Sequence, residues 1–214
     1  MRTMLDIGLR LLLTVSLVIA LPPALASAQE NKPTFSQAEL DQMVAPVALY
    51  PDALLSQILM ASTYPADVAE ASKWSKANPN EKDDAAVSAV QDKSWDPSVT
   101  SLVAFPQVLE MMGSEPDWVR NLGDAFLADP DGVMDTMQNL RKKAKDEGNL
   151  ETSKEQEVTV EESSSETIIV VEPADPKVVY VPVYNPTVVY GPGGGLLTGP
   201  TTIPPPPATA LPPA

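Results

Sequence analysis

Tyr50-Pro51-Asp52-Ala53-Leu54-Leu55-Ser56-Gln57-Ile58-Leu59 carries the unit from which most of this chain is built. An aromatic precedes a proline, an acid follows it, and an apolar stripe then repeats at helical spacing. Proline is preorganised for the first positions of a helix, where a missing N–H costs nothing. An acid in the first turn meets the positive end of the helix dipole. Leu54, Leu55, Ile58, Leu59 and Ser62 fall at i, i+1, i+4, i+5 and i+8, a stripe wide enough to face a core.

The same punctuation recurs along the chain. Tyr64-Pro65 and Phe105-Pro106 repeat the aromatic–proline pair, and Asp96-Pro97 and Asp129-Pro130 place a capping carboxylate before proline. With Tyr50-Pro51 these five junctions predict a run of helices of roughly 8 to 17 residues over 34–148. Upstream, Phe35-Ser36-Gln37-Ala38-Glu39-Leu40 reads as a complete helix start: Ser36 caps, Glu39 closes the capping box, and Phe35 and Leu40 form the staple. Downstream, Val133, Met137, Leu140 and Ala144 make one helical face. Arg141, Lys142, Lys143 and Lys145 read as cations at the negative end of that helix's dipole, and Gly148 as its left-handed cap. Phe35, Tyr50, Trp74, Trp95, Phe105, Trp118 and Phe126 are the expected glue between helices; an aromatic binding platform is the sharper alternative.

Beyond residue 149 the composition changes. From Glu151 to Asp175 there are eight acids and one lysine, and Val158 and Val160 alternate with Thr159 and Glu161. Thr167-Ile168-Ile169-Val170-Val171 follows a serine run, which predicts a β-hairpin. A ten-residue repeat comes next: Asp175-Pro176-Lys177-Val178-Val179-Tyr180-Val181-Pro182, then Asn185-Pro186-Thr187-Val188-Val189-Tyr190-Gly191-Pro192. Each copy reads as a turn, a short strand and a proline stop. The Gly- and Pro-rich stretch from 193 to 214 reads as an extended, disordered tail, a linker more readily than a polyproline ligand. The expected fold is therefore α+β and mainly α. A Pro-punctuated helical domain over 34–148 precedes an acidic linker and small β module over 149–192.

Residues 1–28 read as an export leader. Arg2 and Arg10 flank the start, Leu11 to Leu21 is apolar apart from Thr14 and Ser16, Pro22 and Pro23 break it, and Ala26-Ser27-Ala28 offers a cleavage site. An apolar run that short covers about half of a ~30 Å hydrocarbon core, so an uncleaved membrane anchor is the weaker alternative. No Cys follows the run, which excludes a lipidated cysteine.

Composition removes whole classes of chemistry. The chain has no His and no Cys, so a Ser-His-Asp triad, a Cys-His pair and a His- or Cys-bound zinc are all impossible. With neither disulfides nor their stapling, stability rests on burial. The net charge of −15 repels nucleic acid and anionic lipid; plain solubility accounts for it equally well. Carboxylate chemistry survives the inventory. Asp41, Asp52 and Asp67 would have to converge for a hydrolase, yet Asp52 and Asp67 each follow a helix-opening proline and are explained as dipole partners. Asp129, Asp131 and Asp135 fail the spacing of a calcium loop, and Asp129 reads as a cap. Gly193-Gly194-Gly195 lacks the Lys and the helix of a phosphate loop.

Two stretches together carry a family resemblance: Leu40–Leu59, and the pair Val178-Val179-Tyr180-Val181-Pro182 and Val188-Val189-Tyr190-Gly191. They resemble the DUF3300 family of exported proteins of Gram-negative bacteria, over roughly residues 35–192. The resemblance implies a periplasmic or secreted location after cleavage near Ala28. It implies no established activity and brings no catalytic residues. Family members often continue into long tails rich in aromatics, glycine or histidine, whereas here Gly191 leads into a proline stretch.

The expected function is a non-enzymatic binding or scaffold module for another envelope protein or a cell-wall component. No cofactor, metal or nucleic acid is expected, and no membrane contact beyond an uncleaved leader. The candidate partner-binding residues are Val179, Tyr180, Tyr184, Val189 and Tyr190, as a β edge open to a partner strand; the plainer reading packs them on the chain's own helices. Two rivals are a carboxylate-dependent hydrolase of peptidoglycan or polysaccharide, and a periplasmic chaperone using Met111, Met112, Met134 and Met137. No pattern fixes an oligomeric state.

Overall fold

The computed structural model describes residues 34–162, 167–175 and 178–191. The predicted leader, the serine turn of the hairpin and the Gly/Pro tail lie outside the described residues. The fold is α+β and mainly α.

Eight helices follow one another: α1 (Gln37–Val44), α2 (Asp52–Ser62), α3 (Pro65–Ala77), α4 (Asp83–Ala89), α5 (Pro97–Leu102), α6 (Pro106–Ser114), α7 (Pro116–Ala128) and α8 (Pro130–Asp146). The capping box opens α1 as read: Ser36 N–H donates to Glu39 Oε2 at 2.8 Å, and Ser36 Oγ accepts from Glu39 N–H at 3.4 Å. The Ser36 hydroxyl, which donates to Glu39 Oε2 at 2.7 Å, and the Ser36 N–H together hold the Glu39 carboxyl below the usual carboxylate range. Proline stands in the first turn of α3, α5, α6, α7 and α8, whereas Pro51 itself caps α2. The Glu115-Pro116 junction was not among the five, yet it divides α6 from α7 in the same way. Helix α4 has no proline at all; it opens at Asp83, whose φ of 50° is left-handed.

The five residues of the α2 stripe are all buried. Helix α2 packs on α5 and α7, α3 on α6, and α1 on α7 and α8. All seven predicted aromatics lie in or against this core. Two glycines have specific work. Gly123 lets α7 approach the end of α2 so closely that a Cβ there would collide with the Ser62 carbonyl oxygen. Gly148, at φ +74°, closes α8: Gly148 N–H donates to Lys145 O at 2.9 Å and Asn149 N–H to Ala144 O at 2.7 Å, the paired bonds of a Schellman ending.

The hairpin forms from β1 (Gln156–Glu162) and β2 (Thr167–Pro173), antiparallel, with Val158 opposite Val171 and Val160 opposite Ile169. Ile169 and Val171 are buried, and β2 lies against α2 and α8. Strand β1 lies outside it, mostly exposed.

The repeat does not form the strands expected of it. In the first copy Val178 makes one isolated bridge to Asp175, and 179–185 run on without a ladder. The second copy is a turn of helix, α9 (Pro186–Val189). Asn185 accepts from Thr187 N–H at 3.0 Å and Pro186 opens the helix. Cap and proline outweigh the β propensity of Thr187-Val188-Val189, the rule that starts the other helices.

Replacing Gly123 with Ala is expected to lower stability by about 1–3 kcal/mol through the forced separation of α7 from α2. A urea melt of the G123A chain that matches the parent would contradict this packing.

Candidate functional site

Between α1 and α2 the chain makes a bend, and every residue from Met43 to Pro51 is buried. Buried peptide groups need partners. Bonds within the bend satisfy some of them, such as Val47 N–H and Ala48 N–H to Val44 O. Side chains from distant elements meet the carbonyls of Met43, Ala45, Ala48 and Tyr50.

Trp118 Nε1, on α7, donates to Met43 O at 2.9 Å. Arg141, on α8, supplies two more bonds: Nε to Ala48 O at 2.8 Å and Nη2 to Tyr50 O at 2.9 Å. Its Nη1 donates to Ile169 O on β2 at 2.8 Å and lies 2.6 Å from Asp52 Oδ1. The side chain is 0% exposed while that of Asp52 is 41% exposed. Arg141 thus joins the bend, the start of α2 and the hairpin. Val133, Met137, Leu140 and Ala144 are buried as expected, and Arg141, read with Lys142, Lys143 and Lys145 as a cation at the dipole's negative end, is buried with them. Position 141 is four residues after Met137 and one after Leu140, which places it on the apolar face. That phase was the available signal.

Ala45 O is met from the C-terminal side. Tyr184 Oη donates to it at 2.8 Å and Tyr190 Oη at 2.9 Å, and Tyr184 Oη also accepts from Leu49 N–H at 3.3 Å. The rings of Tyr50 and Tyr184 stand edge to face at 6.3 Å, as do those of Tyr184 and Tyr190 at 6.2 Å. Burial pushes all three phenols above their ordinary pKa. Among the described residues Tyr50 Oη has no hydrogen-bond partner. Asn149 Nδ2 donates to Val189 O at 3.1 Å, so the C-terminal segment 178–191, a strap across the bend, is sewn down at a second point.

The five candidate residues therefore divide. Val189 and Tyr190 are buried, Tyr184 spends its hydroxyl on the bend, and Val179 packs against the core. Tyr180 is exposed, as are Val178, Val183 and Val188. Among the carboxylates, Asp52 faces Arg141, Asp41 accepts from Gln37 Nε2 at 2.7 Å, and Asp67 accepts from Asp96 N–H at 3.0 Å. Asp129 caps α8 through Gly132 N–H at 3.0 Å. Met111, Met112 and Met137 are in the core and Met134 is exposed.

The open edge lies instead on β1. Ile169 N–H donates to Gln138 Oε1 at 2.9 Å, and Ile169 O accepts from Arg141 and from Gln138 Nε2. Both main-chain groups of Ile169 thus point away from β1. Antiparallel pairs alternate, so Val160, opposite it, also turns its N–H and C=O outward. Two positions back, the Thr152 hydroxyl covers the outward groups of Val158, accepting from its N–H at 3.0 Å and donating to its carbonyl at 3.3 Å. Among the described residues nothing bonds the main chain of Val160 on that side. Sequence reasoning missed this edge because its openness depends on register.

Comparison with known proteins places these features in a family. The model of a family described as a protein of unknown function, DUF3300, matches residues 36–208. The uncharacterised protein YacH of Escherichia coli (strain K12) is 61% identical over 124 residues, which cover 58% of this chain and 20% of YacH. The chain spans about a fifth of that relative's length. No solved structure matches. Among the described residues, no helix is long and apolar enough to cross a membrane.

Arg141→Met is expected to cost about 3–5 kcal/mol, since it leaves the buried Ala48 and Tyr50 carbonyls without a donor and Ile169 O with Gln138 alone, whereas Asp52→Asn costs under about 1 kcal/mol because Asp52 is partly in water. Equal losses in denaturant melts would contradict the node. Tyr190→Phe should cost about 1 kcal/mol, and Tyr50→Phe, which removes an unpartnered hydroxyl, nothing or less. The raised phenols contribute stability that is complete below the unfolded tyrosine pKa of about 10 and is lost as pH rises beyond it. Urea midpoints should fall above that pH, in step with tyrosinate absorbance.

Proposed function

This chain belongs to the DUF3300 family, and we propose that it serves as a non-enzymatic binding module of the Gram-negative envelope, engaging its partner along the open edge of β1. The observation that carries this reading is the outward N–H and C=O of Val160 on β1, whose other edge pairs with β2, which Gln138 and Arg141 lock to α8 through Ile169. A rigid edge with free main-chain groups accepts an extended segment at low ordering cost. The leader-like residues 1–28 support the envelope location. The non-enzymatic reading draws on the acids a hydrolase would need: Asp41, Asp52 and Asp67 each serve a different structural partner.

The strand's alternation supplies a clean pair of variants. Proline at 160 removes an N–H that bonds nothing, which an edge strand tolerates. Proline at 161 removes one directed at Ile168 in the ladder. V160P should therefore melt close to the parent and lose at least tenfold in affinity for purified envelope fractions, sacculi and outer membranes tested separately. E161P should lose the hairpin itself, seen in circular dichroism. Undiminished binding by a folded V160P chain, or release of soluble sugars or peptides from sacculi, sinks this reading.

A further inference from the structure

The chemistry around the edge says which partner would fit it. Side chains of β1 alternate: Val158 and Val160 share a face with Ile169 and Val171, toward the helices, whereas Glu157 and Glu161 stand on the solvent face. Among the described residues neither glutamate has an ion-pair partner. Val160 itself is 37% exposed, so part of its side chain is left over for a neighbour.

Resting on the proposed β1 edge, we infer that its occupant is an extended cationic segment of another polypeptide, with Lys or Arg alternating with apolar residues. An added strand would bond its main chain to Val160. Its basic side chains would stand across from Glu157 and Glu161, and its apolar ones would extend the row formed by Val160 and Ile169. Cross-strand pairs of opposite charge stabilise a sheet and like pairs oppose it. A second copy of this chain meets that second condition, since β1 against β1 sets glutamates beside glutamates in a protein of net charge −15. The Gly/Pro stretch from 192 to 214 contains no Lys or Arg, so it does not supply the charge either.

Thr152 limits the site. Its hydroxyl copies the bonding of a strand residue at Val158 and stops the open edge there. Removing it should lengthen the edge by one pair of main-chain bonds. A loss of folding would act in the opposite direction on affinity, which makes T152A a useful companion to V160P.

The probe is an acetylated, amidated peptide alternating lysine and valine, with fluorescence anisotropy as the readout. A second peptide of the same sequence carries N-methylated valines, which keep every charge and remove alternate N–H donors. The first peptide should bind saturably and weaken as salt rises. N-methylation should weaken it at least tenfold, as should V160P; E157Q with E161Q should weaken it several-fold, and T152A should strengthen it several-fold. Equal binding of the two peptides would reduce the interaction to charge alone and overturn the inference, as would binding unmoved by V160P. A chain that ignores both peptides, yet needs Val160 to hold envelope fractions, retains the edge and loses the cationic occupant. A chain that needs Val160 for neither loses both. A dimer of the parent that dissociates in V160P would identify the occupant as a second copy and would likewise overturn the inference.

Discussion

Everything else in this structure depends on the buried bend between α1 and α2. Turning a chain inside a core strands peptide carbonyls where water cannot reach them, and each one left bare costs about 1–3 kcal/mol. The molecule meets that demand from three directions. Trp118 serves Met43, Arg141 serves Ala48 and Tyr50, and Tyr184 and Tyr190 serve Ala45. Helix α7, helix α8 and the C-terminal strap are thereby tied to one segment of eight residues, 43–50. The two stretches that carry the family resemblance bond directly to one another here, through the Tyr190 hydroxyl and the Ala45 carbonyl.

Burying the Arg141 guanidinium is costly, of the order of several kcal/mol. Three carbonyls and a carboxylate offset it, and the planar fork suits this use because its donors point in fixed, separate directions. A lysine ammonium has the charge without that geometry. The arrangement also seats the hairpin. Two strands alone are marginal in water, and β2 gains its footing from the burial of Ile169 and Val171 and from main-chain bonds to Gln138 and Arg141. Side chains thus occupy part of each outer edge: Gln138 and Arg141 at Ile169, Thr152 at Val158. Glutamates line the solvent face of β1. Such charges protect an edge from indiscriminate pairing, and the same charges select among the strands that might add to it.

Local chemistry made the helical domain readable. The Ser36–Glu39 capping box, the prolines of α3, α5, α6 and α8, the Asp129 cap and the Gly148 ending are each decided within a few residues, and all appear in place. The hairpin was legible for a similar reason, since Val158 and Val160 alternate with Thr159 and Glu161, and the β-prone run Thr167-Ile168-Ile169-Val170-Val171 follows a serine stretch. The Val-Tyr repeat misled because two local signals competed there. Asn185-Pro186 favours a helix start and Thr187-Val188-Val189 favours a strand, and the cap prevailed.

By itself, then, the sequence determined the order and polarity of most helices, the hairpin, and the absence of any His- or Cys-based chemistry. Those depend on residue inventory or on interactions spanning a turn or two. Only the tertiary structure decided that Arg141 is a buried tie, that Tyr184 and Tyr190 turn inward, and that Val160 marks the open edge. Each of these depends on which main-chain groups a distant fold leaves unpaired. A sequence lists donors and acceptors, but only the folded chain decides which of them face one another and which face water.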